Sequence, residues 1–121
     1  MYRICVEDGF RATHHVRLAN GKVEQPHLHQ WRVRVFLNRP DLDDLDMVAD
    51  FEEVHAALRT VLLPLEHADL NAFAGLAGKN PTAEVVARFV FDRLMAGPLG
   101  RPFRVEVTEA PGCTASYESS P

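Results

Sequence analysis

The stretch EQPHLHQWRVRVFL, Glu24–Leu37, decides how this chain folds. His29, Trp31, Val33, Val35 and Leu37 alternate with Gln30, Arg32 and Arg34. A period of two is the pattern of a strand with one face buried and the other wet. His27 stands two residues before His29, so both imidazoles leave the strand on one face. Two imidazoles on one face can reach a single divalent ion, at about 2.0 Å each for zinc. A chance His-x-His pair at the start of a surface strand would look the same.

Upstream, Tyr2–Leu18 also alternates, as one long or broken strand. Phe10, Ala12 and His14 point one way, Arg11 and Thr13 the other, and Gly9 is placed to mark a bulge or bend. Asn20–Lys22, NGK, supplies a turn. If the two strands pair as a hairpin, His14 arrives beside His27 and His29. Three neutral nitrogen ligands would leave an open position on a tetrahedral zinc. His15 is the competing candidate, and alternation favours His14.

Downstream, Asn38–Asp46 breaks the strand. Asp50 then caps a helix, with Glu53 placed for a capping box. Phe51, Val54, Leu58, Val61 and Leu62 recur at helical spacing, and Pro64 ends the run. Leu65–Lys79 is irregular, and a loop that long in a compact domain often carries function. Asn80 is the expected cap of a second helix, with Pro81 in its first turn. Val85, Val86, Phe89, Val90 and Leu94 form its stripe, and Gly97–Pro98 closes it. Phe103–Pro111 reads as a third strand with Phe103, Val105, Val107 and Glu109 on one face, and Thr114–Glu118 as a short fourth. The order is β-β-α-α-β-β: an α+β domain over 1–121 with helices on one face of an antiparallel sheet.

The bulk properties narrow the function. Among 121 residues, 46% are hydrophobic and 25% charged, with a net charge of −4. That is ordinary for a soluble domain and unsuited to neutralising a phosphate backbone, so no nucleic-acid partner is expected. No apolar run reaches membrane-spanning length, and MYRICVEDGF carries acids early and no signal-peptide core. A cytoplasmic location is expected. Cys5 and Cys113 are too few for a disulfide framework and are not spaced as a metal knuckle.

Three further positions can carry chemistry. Glu109, on an apolar face, is either the solvated tip of its strand or a pocket carboxylate for a ligand with N–H donors. Glu66 and His67 are either a polar loop or a carboxylate-tuned acid–base pair. Thr82 is either a plain first-turn residue or a ligand contact beside free helix N–H groups.

Taken in order, FRATH, HLH, VADF, LEHADLN, NPTAE and VTEAP resemble the motif series of the 6-pyruvoyl-tetrahydropterin and 6-carboxy-tetrahydropterin synthase family, over nearly the whole chain. The resemblance implies the tunnelling fold, a four-stranded antiparallel sheet with two helices on one face. It also implies subunits joined sheet to sheet into a barrel, as trimers and hexamers with active sites at interfaces. It assigns a Zn2+ ion to His14, His27 and His29, a pterin anchor to Glu109 with Thr82 nearby, and a catalytic pair to Glu66 and His67. Glu66 takes the place of the family's Asp, and Leu28 that of a Gly. The activity implied is a zinc-dependent lyase acting on a dihydroneopterin-derived substrate.

The family's usual base, a cysteine shortly before the first histidine, has no counterpart here. The segment reads Gly21, Lys22, Val23, Glu24. Glu24, three residues before His27, is either the base of a variant that cleaves the dihydroneopterin side chain or a solvated loop residue. A non-catalytic pterin or metal binder is the rival reading. A cupin-type barrel, which also uses His-x-His, would need more strands and an acid among Trp31–Leu37.

Overall fold

The computed structural model describes residues 1–100 and 102–119. Strands β1 (Tyr2–His14) and β2 (His27–Arg39) pair antiparallel along their full lengths, from Tyr2 opposite Arg39 to His14 opposite His27. The shared register puts Val6, Phe10, Ala12 and His14 on one face with His27, His29, Trp31, Val33, Val35 and Leu37. Helix α1 (Phe51–Leu62) and helix α2 (Ala83–Ala96) cover that face. Strand β3 (Ala68–Asp69) runs parallel to Ala12–Thr13. Strands β4 (Arg104–Ala110) and β5 (Cys113–Glu118) complete the order β3-β1-β2-β4-β5. Val54, Leu58 and Leu62 of α1 and Val86, Val90, Phe91 and Leu94 of α2 close the core over Phe10, Trp31, Val33, Val35, Val105 and Val107.

This is the expected α+β architecture, with five strands among the described residues where the sequence pattern shows four. The extra one is the two-residue β3, cut from the irregular Leu65–Lys79 segment, too short to show any period. Gly9 marks no bulge, because the ladder passes through it unshifted. A Cβ there would lie 2.6 Å from the Trp31 carbonyl oxygen, so close approach to β2 is what requires glycine.

Asp50 caps α1 by accepting from the Glu52 N–H at 2.8 Å. Phe51, part of the apolar stripe by spacing, is the first residue of the helix and is 60% exposed. The cap of α2 is Thr82 rather than Asn80; its hydroxyl accepts from the Val85 N–H at 3.2 Å. Asn80 is occupied elsewhere. Its side chain accepts from the Arg17 N–H and donates to the Arg17 carbonyl.

Beyond His14, Val16 and Leu18 pair back onto Glu24 and Lys22. The long first strand is therefore broken at its site end and held there by different partners. On the uncovered face, Arg32–Glu7, Arg34–Glu106 and Arg104–Glu118 ion pairs step across the sheet. Among the described residues no helix is long and apolar enough to cross a membrane.

Candidate metal centre and adjoining cavity

His14, His27 and His29 come together at the end of the β1–β2 ladder, as strand alternation requires. Their candidate ligand atoms lie within 4.8 Å of one another. The rings meet edge to face, with centroids 4.5–5.1 Å apart. Trp31, fully buried, forms the floor beneath His14 and His29 and spends its indole N–H on the Ala12 carbonyl at 3.1 Å. His15, the alternative to His14, instead gives its backbone groups to the Asn71 side chain.

The hydrogen bonds of the imidazoles decide which nitrogen is free. His14 Nδ1 is 2.8 Å from the Pro81 carbonyl oxygen, and His27 Nδ1 is 2.9 Å from that of Gln25. A carbonyl only accepts, so Nδ1 carries the proton in both rings and Nε2 is left with its lone pair. Backbone carbonyls holding the outer nitrogen are the usual support of metal-ligating histidines. His14 Nε2 and His29 Nε2 are both buried without a hydrogen-bond partner among the described residues.

Glu109 adds a second oddity. Its Oε1 lies 2.9 Å from His14 Nε2, yet off the direction in which a ring N–H would point. Two acceptors this close call for a cation or a proton between or beside them. Alternation along β4 keeps Glu109 on the core face with Val105 and Val107, and it lines a cavity there, so it is a pocket carboxylate and not a strand tip. Burial holds the His29 imidazole below its ordinary pKa; Glu109 opposes this, His27 and His14 reinforce it, and Glu24 opposes it. A neutral imidazole is the form that binds metal. The donor set, its tautomers and its unpartnered nitrogens fit a divalent ion with zinc-like preferences.

A cavity of about 540 Å³ opens beside Glu109 between the start of α2 and β5, lined also by Val16, Thr82, Glu84 and Cys113. Glu24 is tied to Val16, one of the cavity's lining residues. Its Oε1 accepts from the Val16 N–H at 3.1 Å, and its own N–H donates to the Val16 carbonyl at 3.0 Å. It is close enough to His29 to act on its charge.

Glu66 and His67 are not brought to the imidazoles. His67 is 77% exposed, with its Nε2 3.6 Å from Glu66 Oε1. Its backbone is left-handed, φ 61°, while its N–H reaches the Arg11 carbonyl at β1's outer edge. In the sequence, Asn80 and Pro81 stand out only as a helix start, Asn71 only within a motif, and Val16 not at all. They act through backbone groups or backbone-like side-chain amides, which no side-chain pattern marks.

Residues 3–120 match the family model described as 6-pyruvoyl tetrahydropterin synthase. The chain belongs to the 6-pyruvoyl tetrahydropterin synthase family. A curated relative, the 6-carboxy-5,6,7,8-tetrahydropterin synthase of Synechocystis sp., is 32% identical over 98% of this chain and 95% of its own. Among solved structures, the Caenorhabditis elegans 6-pyruvoyl tetrahydropterin synthase superposes with a TM-score of 0.81 at 21% identity, covering 99% of this chain and 98% of that one. A Plasmodium vivax 6-pyruvoyltetrahydropterin synthase in which a catalytic glutamate is replaced by alanine superposes at 0.76 with 15% identity, covering 98% and 97%. At these identities the two structures speak to the fold, which is the tetrahydropterin synthase fold. Family membership bears out the reading of the chain as a lyase-type enzyme of the tetrahydropterin synthase class.

Proposed function

We propose that this protein, working as one domain over 1–121, is a zinc-dependent lyase acting on a dihydroneopterin-derived substrate, with Glu24 in place of the usual thiol. The observation that carries the reading is the pair of buried Nε2 atoms of His14 and His29, unpartnered among the described residues, beside Glu109 at the edge of a cavity. His14, His27 and His29 would hold the ion. Zinc bound there would supply Lewis acidity toward a substrate oxygen.

The chain's own groups do the rest. Glu109 accepts hydrogen bonds from the pterin's N–H groups, and Thr82, on the same cavity wall, borders the ring. Glu24 takes a proton from the substrate side chain; its Oε1 is anchored by the Val16 N–H, which leaves Oε2 for this transfer. That a P. vivax relative has a catalytic glutamate supports a carboxylate in this role.

His67, with Glu66 beside it, faces solvent and serves a neighbouring subunit's site in a homo-oligomer, a trimer or hexamer. A left-handed, non-glycine residue at an exposed edge is the kind of strain that function maintains. The sheet's ends fit such an assembly. Arg11 and Thr13 turn their carbonyls outward onto the β3 segment. By alternation, Arg3, Cys5 and Glu7 also face outward, where β3 does not reach. The charged, uncovered face suits a water-filled interior. Both cysteines are free, which fits a reducing, cytoplasmic setting.

The test is direct. Zinc-loaded protein is incubated with dihydroneopterin triphosphate and with 7,8-dihydroneopterin, and products are followed by mass spectrometry. Loss of the triphosphate, or release of the side chain, is the expected result. Tight pterin binding without turnover of either compound would instead establish the non-catalytic reading, which the absent thiol and Glu66 in the aspartate position favour.

A further inference from the structure

Past His14, the chain leaves the regular ladder as a short extended segment, His15–Arg17, whose two edges are used differently. On one edge Asn71 Oδ1 accepts from the His15 N–H at 2.9 Å, and its Nδ2 donates to the His15 carbonyl at 2.9 Å. Two residues on, Asn80 repeats the arrangement at Arg17, accepting at 2.9 Å and donating at 3.0 Å. A carboxamide offers one acceptor and paired donors, so each asparagine stands in for a neighbouring strand. On the other edge Val16 holds Glu24 by two hydrogen bonds. The residue after Asn80 is Pro81, whose carbonyl fixes the His14 ring.

We propose that Asn71 and Asn80 are positioning residues: their side-chain amides set the Glu24 carboxylate and the His14 imidazole relative to each other. The proposal rests on the reading of His14 as a metal ligand and Glu24 as the base. Residues 15–17 have only an isolated bridge on the Glu24 side, Arg17 with Val23. Without the amides, their outer edge would have only water to bond, and the segment carrying Glu24 would fray. Asn80 acts on both groups, because its side chain pins Arg17 while its peptide neighbour holds His14. Asn71 bonds the His15 backbone, and neither it nor its peptide neighbours bond the His14 ring. The two substitutions therefore have different signatures, which a general loss of stability would not produce.

The experiment uses EDTA-treated full-length protein titrated with Zn2+ against a chromophoric chelator, together with turnover of the substrate accepted by the wild type. Asn80→Ala should weaken Zn2+ binding by about tenfold, the lower end for loss of an outer-shell support. Asn71→Ala should leave it within about twofold. Both should lower kcat with little change in KM, and Asn71→Ala should not lower it further in a Glu24→Gln background. Asn80→Asp, which keeps the acceptor for the Arg17 N–H but loses the donor, should fall between wild type and Asn80→Ala.

Amide exchange at His15 and Arg17 in the metal-free protein confirms that each clamp has been opened in a chain that remains folded. Wild-type Zn2+ affinity in folded Asn80→Ala would overturn the His14 half of the proposal. A loss from Asn71→Ala that adds fully to that of Glu24→Gln would overturn the Glu24 half. A fully active Glu24→Gln would overturn the base assignment and that half together, and the Zn2+ affinities alone would then decide the other.

Discussion

The helix-covered face of the β1–β2 ladder carries ionisable groups at two places, and they are treated in opposite ways. At Asp8, opposite charges converge from the sheet and from α1. Asp8 Oδ2 lies 3.1 Å from His55 Nε2 and 3.4 Å from Arg59 Nε. Its Oδ1 accepts from the Gly9 N–H, and Arg59 Nη2 donates to the Gly9 carbonyl. Donors meet acceptors there, although Asp8 Oδ2 and Arg59 Nε touch as ion-pair atoms without good hydrogen-bond alignment. At His14, His27 and His29, acceptors meet acceptors. Two ring nitrogens have no partner among the described residues, and a carboxylate presses on one of them. Burial of polar groups is common to both places; complementarity is not. A mutually satisfied cluster fastens a helix, whereas a cluster of unshared lone pairs is built for something that brings positive charge.

That contrast can be broken by experiment, beginning at the imidazoles. His14→Ala should abolish stoichiometric Zn2+ binding and reduce pterin turnover to background, read by metal analysis after dialysis. Retention of one zinc per chain would remove the site. Glu24→Gln should lower turnover by about 10²–10⁴-fold, the span of general-base contributions, while Zn2+ content stays at wild type. Unchanged turnover would return Glu24 to the status of a loop residue.

Asp8→Asn should do the reverse, leaving Zn2+ affinity intact and costing about 1–2 kcal/mol of stability in urea, below the figure for a fully buried pair because His55 and Arg59 are about half exposed. A loss of zinc in this variant would show that the two places are not independent.

The smallest effect concerns pH. Burial depresses the pKa of His29 below 6.5. The unfolded chain therefore takes up a proton there before the folded one does, and stability falls as pH drops from 6.5 through the depressed value. Metal-free wild type should lose stability over that window, and His29→Gln should lose less, as measured by urea midpoints at pH 7.5, 6.5 and 5.5. Parallel curves for the two proteins would refute the assignment.

Much of this was legible in one dimension. A period of two across Phe10–His14 and His29–Leu37 is enough to place three imidazoles on one face once the strands pair. Pairing itself follows from the turn residues between them. The helices announced themselves by apolar spacing, though their edges did not. Phe51 has helical phase but is left exposed at the first turn, and Asn80 has cap chemistry but is taken by Arg17. Both outcomes depend on what stands nearby in space. The two-residue β3 had no pattern to read, since a period needs several residues to show itself.

Glu109 and Glu24 mark the boundary. Their side chains are visible in the sequence, but whether a carboxylate is solvated or engaged depends on a histidine from another strand in one case and on a backbone N–H eight residues away in the other.

The sequence by itself determined the family, the fold class and the histidine face, because hydrophobic periodicity and residue order are properties of the chain. Only the tertiary structure decided which ring nitrogens are free, which carboxylates reach them and that His67 turns away. Those facts depend on backbone carbonyls and N–H groups that every residue possesses and that acquire meaning only when folding sets them opposite a particular side chain.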